Sequence, residues 1–268
     1  MKHNKASVEI LVAAMNQQDL SLVEHMNIKT DVVIGNQTDY NEITIRQVDN
    51  LRVSMISTTT RGVGKNRNLA LEFADGDIIL FADDDCHYPD NLEDIVNNAF
   101  AKFPDADVIL FGIEFTKGGI VYKQRKPQTG KCPLLKSLKY GTCSVAIKKT
   151  AIDRYNLHFS ELFGGGCIYS HGEDTDFIIN CYKNRLKVYS YGEIICSTAK
   201  DTSTCFEGYT SKYYYDVGAL AKHSFGFLAI PYMIYIAYRT KESELKFCDK
   251  LKRLFNGYKT LNLMIPYK

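Results

Sequence analysis

An apolar run from Ile78 to Ala82 leads without interruption into three consecutive aspartates, Asp83, Asp84 and Asp85. A short run of this kind, bounded by polar residues, predicts a buried strand. Three carboxylates at the end of such a strand repel one another, and a hard divalent cation among them relieves that repulsion. The stretch therefore predicts a metal and diphosphate site. The alternative is an acidic turn before a helix that starts near Asp90.

Basic residues and a second acidic pair flank this stretch. The segment 61–68 contains Lys65 and Arg67 and precedes an amphipathic helical pattern. Basic groups and the free N–H groups of a helix start suit a phosphate, so these two residues are candidate phosphate ligands. The alternative is a pair of solvated helix-start residues. Glu173 and Asp174 open a later helical run, where acidic residues also occur because they stabilise the helix dipole.

Strand-like and helix-like patterns alternate along the first half of the chain. The predicted strands cover residues 8–15, 31–34, 51–57, 78–82, 108–115 and 143–148, and helices are predicted over 19–26, from Asp90 onward and over 210–222. Such alternation predicts an α/β fold with a parallel sheet covered by helices. In open sheets of this kind ligands bind beyond the carboxyl ends of the strands, where the three aspartates stand.

The composition limits the classes of function that the chain can have. With 268 residues and 45% apolar composition, the chain can bury one substantial core with an appendage. A net charge of +2 does not argue for nucleic-acid binding, but residues 239–268 carry +5 and the residues before them −3. This asymmetry favours an anionic surface beside the tail. A P-loop is excluded because Asn66 follows Lys65 where that motif has Ser or Thr.

Eight cysteines occur without any Cys-x-x-Cys spacing, which argues against a zinc ribbon or a redox motif. Most of them lie inside apolar runs, where a free thiol packs as a small hydrophobe. No apolar N-terminal segment has the pattern of a signal peptide. We therefore expect reduced thiols and a cytoplasmic protein, with peripheral attachment to the cytoplasmic face of a membrane as a further expectation.

The ordered motifs resemble those of family 2 glycosyltransferases of the GT-A fold, which hold a nucleotide-sugar donor with an Asp-x-Asp motif. The family pattern is matched by Arg67-Asn68, by residues 76–85 and by Glu173-Asp174. The resemblance covers residues 6–205. It implies a Rossmann-like mixed, mostly parallel sheet flanked by helices, with a helical C-terminal appendage.

The resemblance also implies roles for individual residues. Asp174 falls on the position of the catalytic base, and Glu173 on that of an acceptor contact. Asp85, supported by Asp83, falls on the metal position. The cofactor is expected to be Mn²⁺ or Mg²⁺, since oxygen ligands suit both ions. The expected donor-binding residues are Asn36, Asp39, Lys65, Arg67, Asp83 and Asp84.

The turn after the second strand departs from the family pattern. Members commonly carry an Asp-Asp-Gly-Ser type turn there, whereas this chain has Ile34-Gly-Asn36-Gln-Thr-Asp39. Asn36 and Asp39 are therefore the candidates to hold a base or ribose, and the acidic contact of the family is not matched.

The expected activity is that of a metal-dependent glycosyltransferase that moves a sugar from a nucleotide-diphosphate sugar, with a UDP-sugar favoured, to a glycan or a lipid-linked saccharide. Inversion at the sugar is implied by the resemblance alone. Two alternatives stay open. One is a sugar-phosphate nucleotidyltransferase, which would release pyrophosphate. The other is a non-catalytic subunit that binds a nucleotide sugar or a glycan.

We expect residues 1–222 to form the catalytic domain, with 1–115 binding the nucleotide sugar and 116–222 carrying the acceptor side and the base. Residues 116–142 predict a hairpin or surface loop, with a flap over donor or acceptor as the alternative. Residues 223–268 predict an apolar and basic helical tail. Its apolar stretch, 225–238, would span about 21 Å as a helix, less than a hydrocarbon core of ~30 Å. It suits an interfacial membrane anchor, or else a core or homo-oligomer contact.

Overall fold

The computed structural model describes residues 5–199, 208–241 and 243–261. The strands are β1 (Val8–Met15), β2 (Asp31–Gln37), β3 (Glu42–Val48), β4 (Leu51–Thr58), β5 (Ile78–Asp83), β6 (Cys86–His87), β7 (Val108–Lys117), β8 (Ile120–Arg125), β9 (Gly130–Lys131), β10 (Val145–Lys148) and β11 (Val188–Ala199). The α-helices are α1 (Leu22–His25), α2 (Val63–Glu72), α3 (Leu92–Lys102), α4 (Leu134–Ser137), α5 (Lys149–Tyr155), α6 (Glu173–Lys183), α7 (Ser211–Phe225), α8 (Ala229–Arg239) and α9 (Phe247–Thr260). Short 3₁₀ turns cover Thr142–Ser144 and Gly226–Leu228.

The strands form one mixed sheet in the order β3-β4-β2-β1-β5-β10-β7-β11-β6, with β8 on β7 and β9 on β11. The central neighbours β4, β2, β1 and β5 are all parallel, and β11 is parallel to β7. Only short β10 separates β5 from β7, and it is antiparallel to both. The predicted α/β fold, a mixed and mostly parallel sheet flanked by helices with a helical C-terminal region, is confirmed.

Both faces of the sheet are buried because successive side chains of a strand point in opposite directions. In β1, Ile10 packs with residues of α1 and α3 on one face. Leu11, the next residue, packs on the other face with residues of α2, α5 and α6, such as Phe177. The near-continuous apolar sequence of the central strands follows from this double burial.

Strand β3 was not among the predicted strands. Its sequence alternates, but Ile43 and Ile45 remain more than half exposed, since β3 is the antiparallel edge strand beyond β4. The helix predicted over 19–26 is shorter, at Leu22–His25. The hairpin predicted within 116–142 is confirmed by the antiparallel pairing of β7 with β8.

The described cysteines are seven free thiols, most of them buried. Cys205, which we expect to be reduced like the others, lies outside the described residues.

The C-terminal helices fold back on one another. Tyr214, near the start of α7, hydrogen-bonds Thr240, just after α8, at 2.7 Å between their hydroxyl oxygens. The chain therefore reverses at Gly226, which has a φ of 53°. Within the described residues, the run Ser211–Arg239 is the one helical stretch long and apolar enough to cross a membrane by length and composition, and 44% of its apolar window is buried. The reversal divides it into two shorter helices.

Helix α9 packs directly on α7. A Cβ on Gly218 would lie 1.9 Å from the carbonyl oxygen of Leu254, and one on Gly257 would lie 1.8 Å from that of Tyr215. Only glycine permits so close an approach of two backbones. Helix α7 also runs unbroken across the predicted boundary between residues 222 and 223.

Candidate active site

The carboxyl end of β5 opens into a cavity of about 410 Å³. Asp83 and Asp85 line it from the strand end, and Asp174 lines it from the first turn of α6. Asp83 is the last residue of β5, which lies between β1 and β10, so the sheet sets its position. The structure therefore brings the two acidic motifs, far apart in sequence, to one cavity at the strand ends, where ligands of such sheets bind.

Arg67 joins the two acidic motifs. Its side chain is only 3% exposed. Its Nη2 donates to Asp83 Oδ1 at 2.6 Å, and its Nη1 lies 3.4 Å from Glu173 Oε1 and 3.4 Å from Asp174 Oδ1. Burial opposes the charge of Arg67, but these three carboxylates together raise its pKa above the ordinary value. The guanidinium thus stays charged and sets the spacing of the carboxylates, and its predicted contact with a phosphate stays a prediction.

Asp174 is positioned by hydrogen bonds from outside its own helix. Thr142 Oγ1 donates to Asp174 Oδ1 at 2.5 Å. Burial raises the pKa of Asp174, while the charge of Arg67 and the hydrogen bond from Thr142 oppose that rise. A third of its side chain is exposed, so the carboxylate faces the cavity. A carboxylate with a raised pKa is a stronger proton acceptor than an ordinary one in water.

Glu173 differs from its neighbour. Burial, followed by the nearby charge of Asp174, raises the pKa of Glu173 to about 7. This carboxyl therefore takes up a proton at a higher pH than an ordinary glutamate does. The residue before both, Gly172, has a φ of 117°, and a Cβ there would lie 2.8 Å from Leu220 of α7. Close packing on α7 thus determines where α6 begins.

The strand-end acids repel one another. Burial and then the charges of Asp83 and Asp84 raise the pKa of Asp85 to about 6. Burial and the charge of Asp83 likewise raise the pKa of Asp84. A cation bound here would favour the deprotonated forms.

The donor set fits a hard divalent ion that is shared with a substrate. Within residues 5–199, 208–241 and 243–261, no three His, Cys, Asp or Glu side chains are grouped to hold a metal by themselves. Asp83 and Asp85 do supply two carboxylates to one cavity, although Asp83 also contacts Arg67 and lies 3.4 Å from Cys143 Sγ. Mg²⁺ commonly uses one or two carboxylates and completes its shell with water and phosphate oxygens.

Three of the residues predicted to bind the donor lie away from the described lining of the cavity. Asn36 is fully buried; its amide accepts from the Gln17 N–H at 3.0 Å and donates to the Gln17 carbonyl at 2.9 Å and to Ser57 Oγ at 3.0 Å. It thereby holds the loop that follows β1. Asp39 is exposed in the turn between β2 and β3, and Lys65 Nζ lies 3.8 Å from Glu161. None of the three lines the described part of the cavity, and their contact with a nucleotide stays a prediction.

Sequence reasoning missed several residues that line the cavity. Thr142, Cys143, Tyr122 and Arg125 all belong to or adjoin the segment 116–142. Thr142 is 32 residues away from the carboxylate that it contacts, and no local pattern marks such a pair. The run of basic residues around Arg125 was a visible signal, but its place in the fold was not.

Acidic residues at a central strand end and at a helix start share one cavity. Together with the topology of the mixed sheet, this arrangement defines a glycosyltransferase of the GT-A type. Residues 4–158, more than half of the chain, match the family described as Glycosyl transferase family 2. The chain therefore belongs to glycosyl transferase family 2, as its motifs predict.

Two relatives from Staphylococcus aureus are similar in sequence. The poly(ribitol-phosphate) beta-N-acetylglucosaminyltransferase TarS of strain Mu50 is 28% identical over 207 residues, which cover 75% of this chain and 35% of TarS. TarS of strain MW2 matches with the same identity and coverage. The chain thus spans about a third of the length of the curated relatives that it matches.

Crystal structures of S. aureus TarS 1–349 are similar in fold. The complex with UDP-GlcNAc superposes with a TM-score of 0.60 at 16% identity and covers 94% of this chain and 71% of that one. The complex with UDP gives a TM-score of 0.56 at 15% identity and covers 95% and 71%. At this level of identity the likeness shows the fold.

Proposed function

We propose that this chain transfers a sugar from a UDP-sugar to a hydroxyl group of a saccharide or polyol acceptor, with inversion at the anomeric carbon. The observation that carries the proposal is the shared cavity, which Asp83 and Asp85 line together with Asp174, while Arg67 contacts both Asp83 and Asp174. Inversion requires the acceptor and the departing diphosphate to lie on opposite sides of the sugar, and two separate acidic motifs suit that arrangement.

In the proposed reaction the acceptor oxygen bonds to the anomeric carbon while the bond from that carbon to the diphosphate oxygen breaks. The hydroxyl proton passes to Asp174. Its Oδ1 is engaged by the Thr142 hydroxyl and by Arg67, which leaves Oδ2 as the atom to take the proton. A positioned base of this kind contributes roughly 10²–10⁴-fold. Mn²⁺ or Mg²⁺, held by Asp83 and Asp85, would neutralise charge on the diphosphate.

The relatives support the substrate classes. TarS is named a poly(ribitol-phosphate) beta-N-acetylglucosaminyltransferase, and its crystal structures hold UDP-GlcNAc and UDP. UDP-GlcNAc is therefore the first donor to test for this chain, ahead of other UDP-sugars and GDP-sugars. The measurement is release of the free nucleoside diphosphate, with and without an acceptor, in Mn²⁺ and in EDTA.

Asp85→Ala is expected to weaken Mn²⁺-dependent UDP binding by at least about tenfold, because changes even in the outer shell of a metal site typically cost 10–100-fold. Isothermal titration of UDP in Mn²⁺ and in EDTA measures the effect. The matched control is Asp153→Ala, which removes an exposed aspartate of α5. Equal UDP affinity of the Asp85 variant and the wild type in Mn²⁺ would remove Asp85 from the metal site.

The C-terminal helices support a location at the cytoplasmic face of a membrane. Beside the reversal at Gly226 a row of apolar side chains is exposed, with Phe227 90% exposed, and basic residues lie nearby. The exposed row comprises Phe227, Leu228, Ile230, Ile234, Tyr235 and Tyr238. An apolar face flanked by cations binds anionic lipid surfaces.

The double variant Phe227→Ser, Tyr238→Ser is expected to lose most co-sedimentation with vesicles that contain anionic phospholipid, since it removes the two most exposed side chains of the row. The control is Ile43→Ser, Ile45→Ser, which removes two exposed apolar side chains from β3. Wild-type protein that stays in the supernatant, or equal losses in both variants, would contradict the membrane location.

A further inference from the structure

Residues 116–142 form the most one-sided concentration of charge in the chain. They contain seven Lys or Arg residues and no Asp or Glu, although the whole chain has a net charge of only +2. We call this segment the basic arm. Its cations are Lys117, Lys123, Arg125, Lys126, Lys131, Lys136 and Lys139.

The basic arm borders the catalytic cavity. Its hairpin, formed by the end of β7 and by β8, places Tyr122 and Arg125 in the cavity wall. The guanidinium of Arg125 lies over the ring of Phe115, 5.4 Å from the ring centre. At its far end the arm reaches Thr142, which donates to Asp174. The segment thus extends from the cavity wall to the proposed base.

The cations of the arm are available to a ligand. Across the described ranges, no ion pair joins any of the seven to a carboxylate. The six lysines are exposed, and Arg125 is partly buried against the ring of Phe115. Burial lowers the pKa of Arg125, which a bound anion would reverse. Clustered like charges without partners raise the local concentration of a ligand of opposite sign.

Three carboxylates that line the same cavity have the opposite charge. Asp83, Asp85 and Asp174 would repel a phosphate of the acceptor, whereas the arm would attract it. A chain whose hydroxyl-bearing units alternate with phosphates fits both charges. A neutral unit enters the cavity toward Asp174, and the flanking phosphates lie on the arm.

We propose that the basic arm binds the phosphates of a polyanionic acceptor, a polyol or saccharide chain joined by phosphodiesters, with Arg125 holding the phosphate next to the reacting hydroxyl. This inference rests on the proposed function, because the acceptor must bring a hydroxyl to Asp174. The substrate in the name of TarS, poly(ribitol-phosphate), belongs to the same chemical class.

The test compares two triple variants that each remove three exposed positive charges. Lys117→Gln, Lys123→Gln, Lys126→Gln alters the arm, and Lys246→Gln, Lys252→Gln, Lys259→Gln alters the region of α9. The probes are fluorescent oligomers of ribitol phosphate and of glycerol phosphate, measured by anisotropy with the full chain. An oligothymidylate of equal charge, an uncharged polyol oligomer and anionic vesicles are measured alongside.

The arm variant is expected to bind the phosphodiester oligomers at least about tenfold more weakly. Its plot of log affinity against log salt should be flatter by roughly 2 to 3, since each lost phosphate contact releases about one counterion fewer. The control variant should match the wild type. UDP binding in Mn²⁺ should be unchanged in both, which also shows that both variants are folded.

Three outcomes would overturn the inference: equal oligomer binding by the arm variant and the wild type, equal losses in both variants, or oligothymidylate or vesicles bound as tightly as the oligomers. The proposed function can fail separately. Tight, arm-dependent oligomer binding without turnover of any UDP-sugar would reject the activity and keep the binding surface. Sugar transfer to an uncharged acceptor without oligomer binding would keep the activity and reject the surface.

Discussion

Asp174→Asn is expected to lower the rate of sugar transfer by roughly 10²–10⁴-fold and to leave the affinity for the UDP-sugar unchanged. The amide preserves the shape of the side chain and can still accept from Thr142 through its oxygen, but it cannot take a proton from the acceptor hydroxyl. The measurements are kcat at saturating donor and the donor Kd by titration calorimetry.

Glu173→Gln is the natural comparison for this variant. Glu173 contacts the same guanidinium, but its pKa of about 7 leaves it partly protonated at neutral pH, so its replacement by an amide should cost less activity. Transfer by the Asp174 variant at the wild-type rate would show that the base lies elsewhere. A nucleotidyltransferase would release pyrophosphate and would be insensitive to the change.

Arg67→Met is expected to destabilise the fold by about 3 kcal/mol at pH 7. Removing one partner of a buried ion pair leaves the other charges uncompensated, which costs ~3–5 kcal/mol. We expect a cost at the lower end of this range because Asp83 and Asp174 are partly exposed and solvent screens their charges. Urea unfolding, followed by circular dichroism, gives the free-energy difference. The control, Arg46→Met on exposed β3, should stay within about 0.5 kcal/mol of the wild type.

The loss of folding stability caused by Arg67→Met should also depend on pH. In the wild type the charge of Arg67 lowers the pKa values of Glu173 and Asp174, so both rise further in the variant. A carboxyl with a raised folded-state pKa contributes stability at low pH that is lost as the pH rises through that pKa. The difference between variant and wild type should therefore be smaller at pH 5 than at pH 8. An equal difference at both would contradict the bridging role of Arg67.

The sequence predicted the parts of the site that are local. The aspartates after β5 and the acidic start of α6 each follow from a short pattern, and the alternation of strands and helices placed the first at a strand end. The role of Arg67 could not be predicted in this way, since its partners lie 16 to 107 residues away and only the packed fold brings them within reach.

The other differences between the predicted and the observed structure have local physical causes. Asn36 was expected to contact a nucleotide from a turn, but it lies within β2 and its amide is used by the loop after β1. Strand β3 was not predicted, since its short alternating sequence lacks the continuous apolar run that marks the central strands. The charge of the basic arm was visible in the composition, whereas its position beside the cavity depends on the pairing of β8 with β7.

The backbone contact between α7 and α9 links the C-terminal residues to the chemistry. Leu261, just beyond α9, packs in one cluster with Phe163, Tyr169 and Leu220, and Leu220 is the side chain against which Gly172 sits at the start of α6. A chain shortened after residue 222 would lose this support for the position of Glu173 and Asp174, although no described residue of the deleted part lines the cavity. We therefore expect the proposed transfer to slow when α9 loosens from α7.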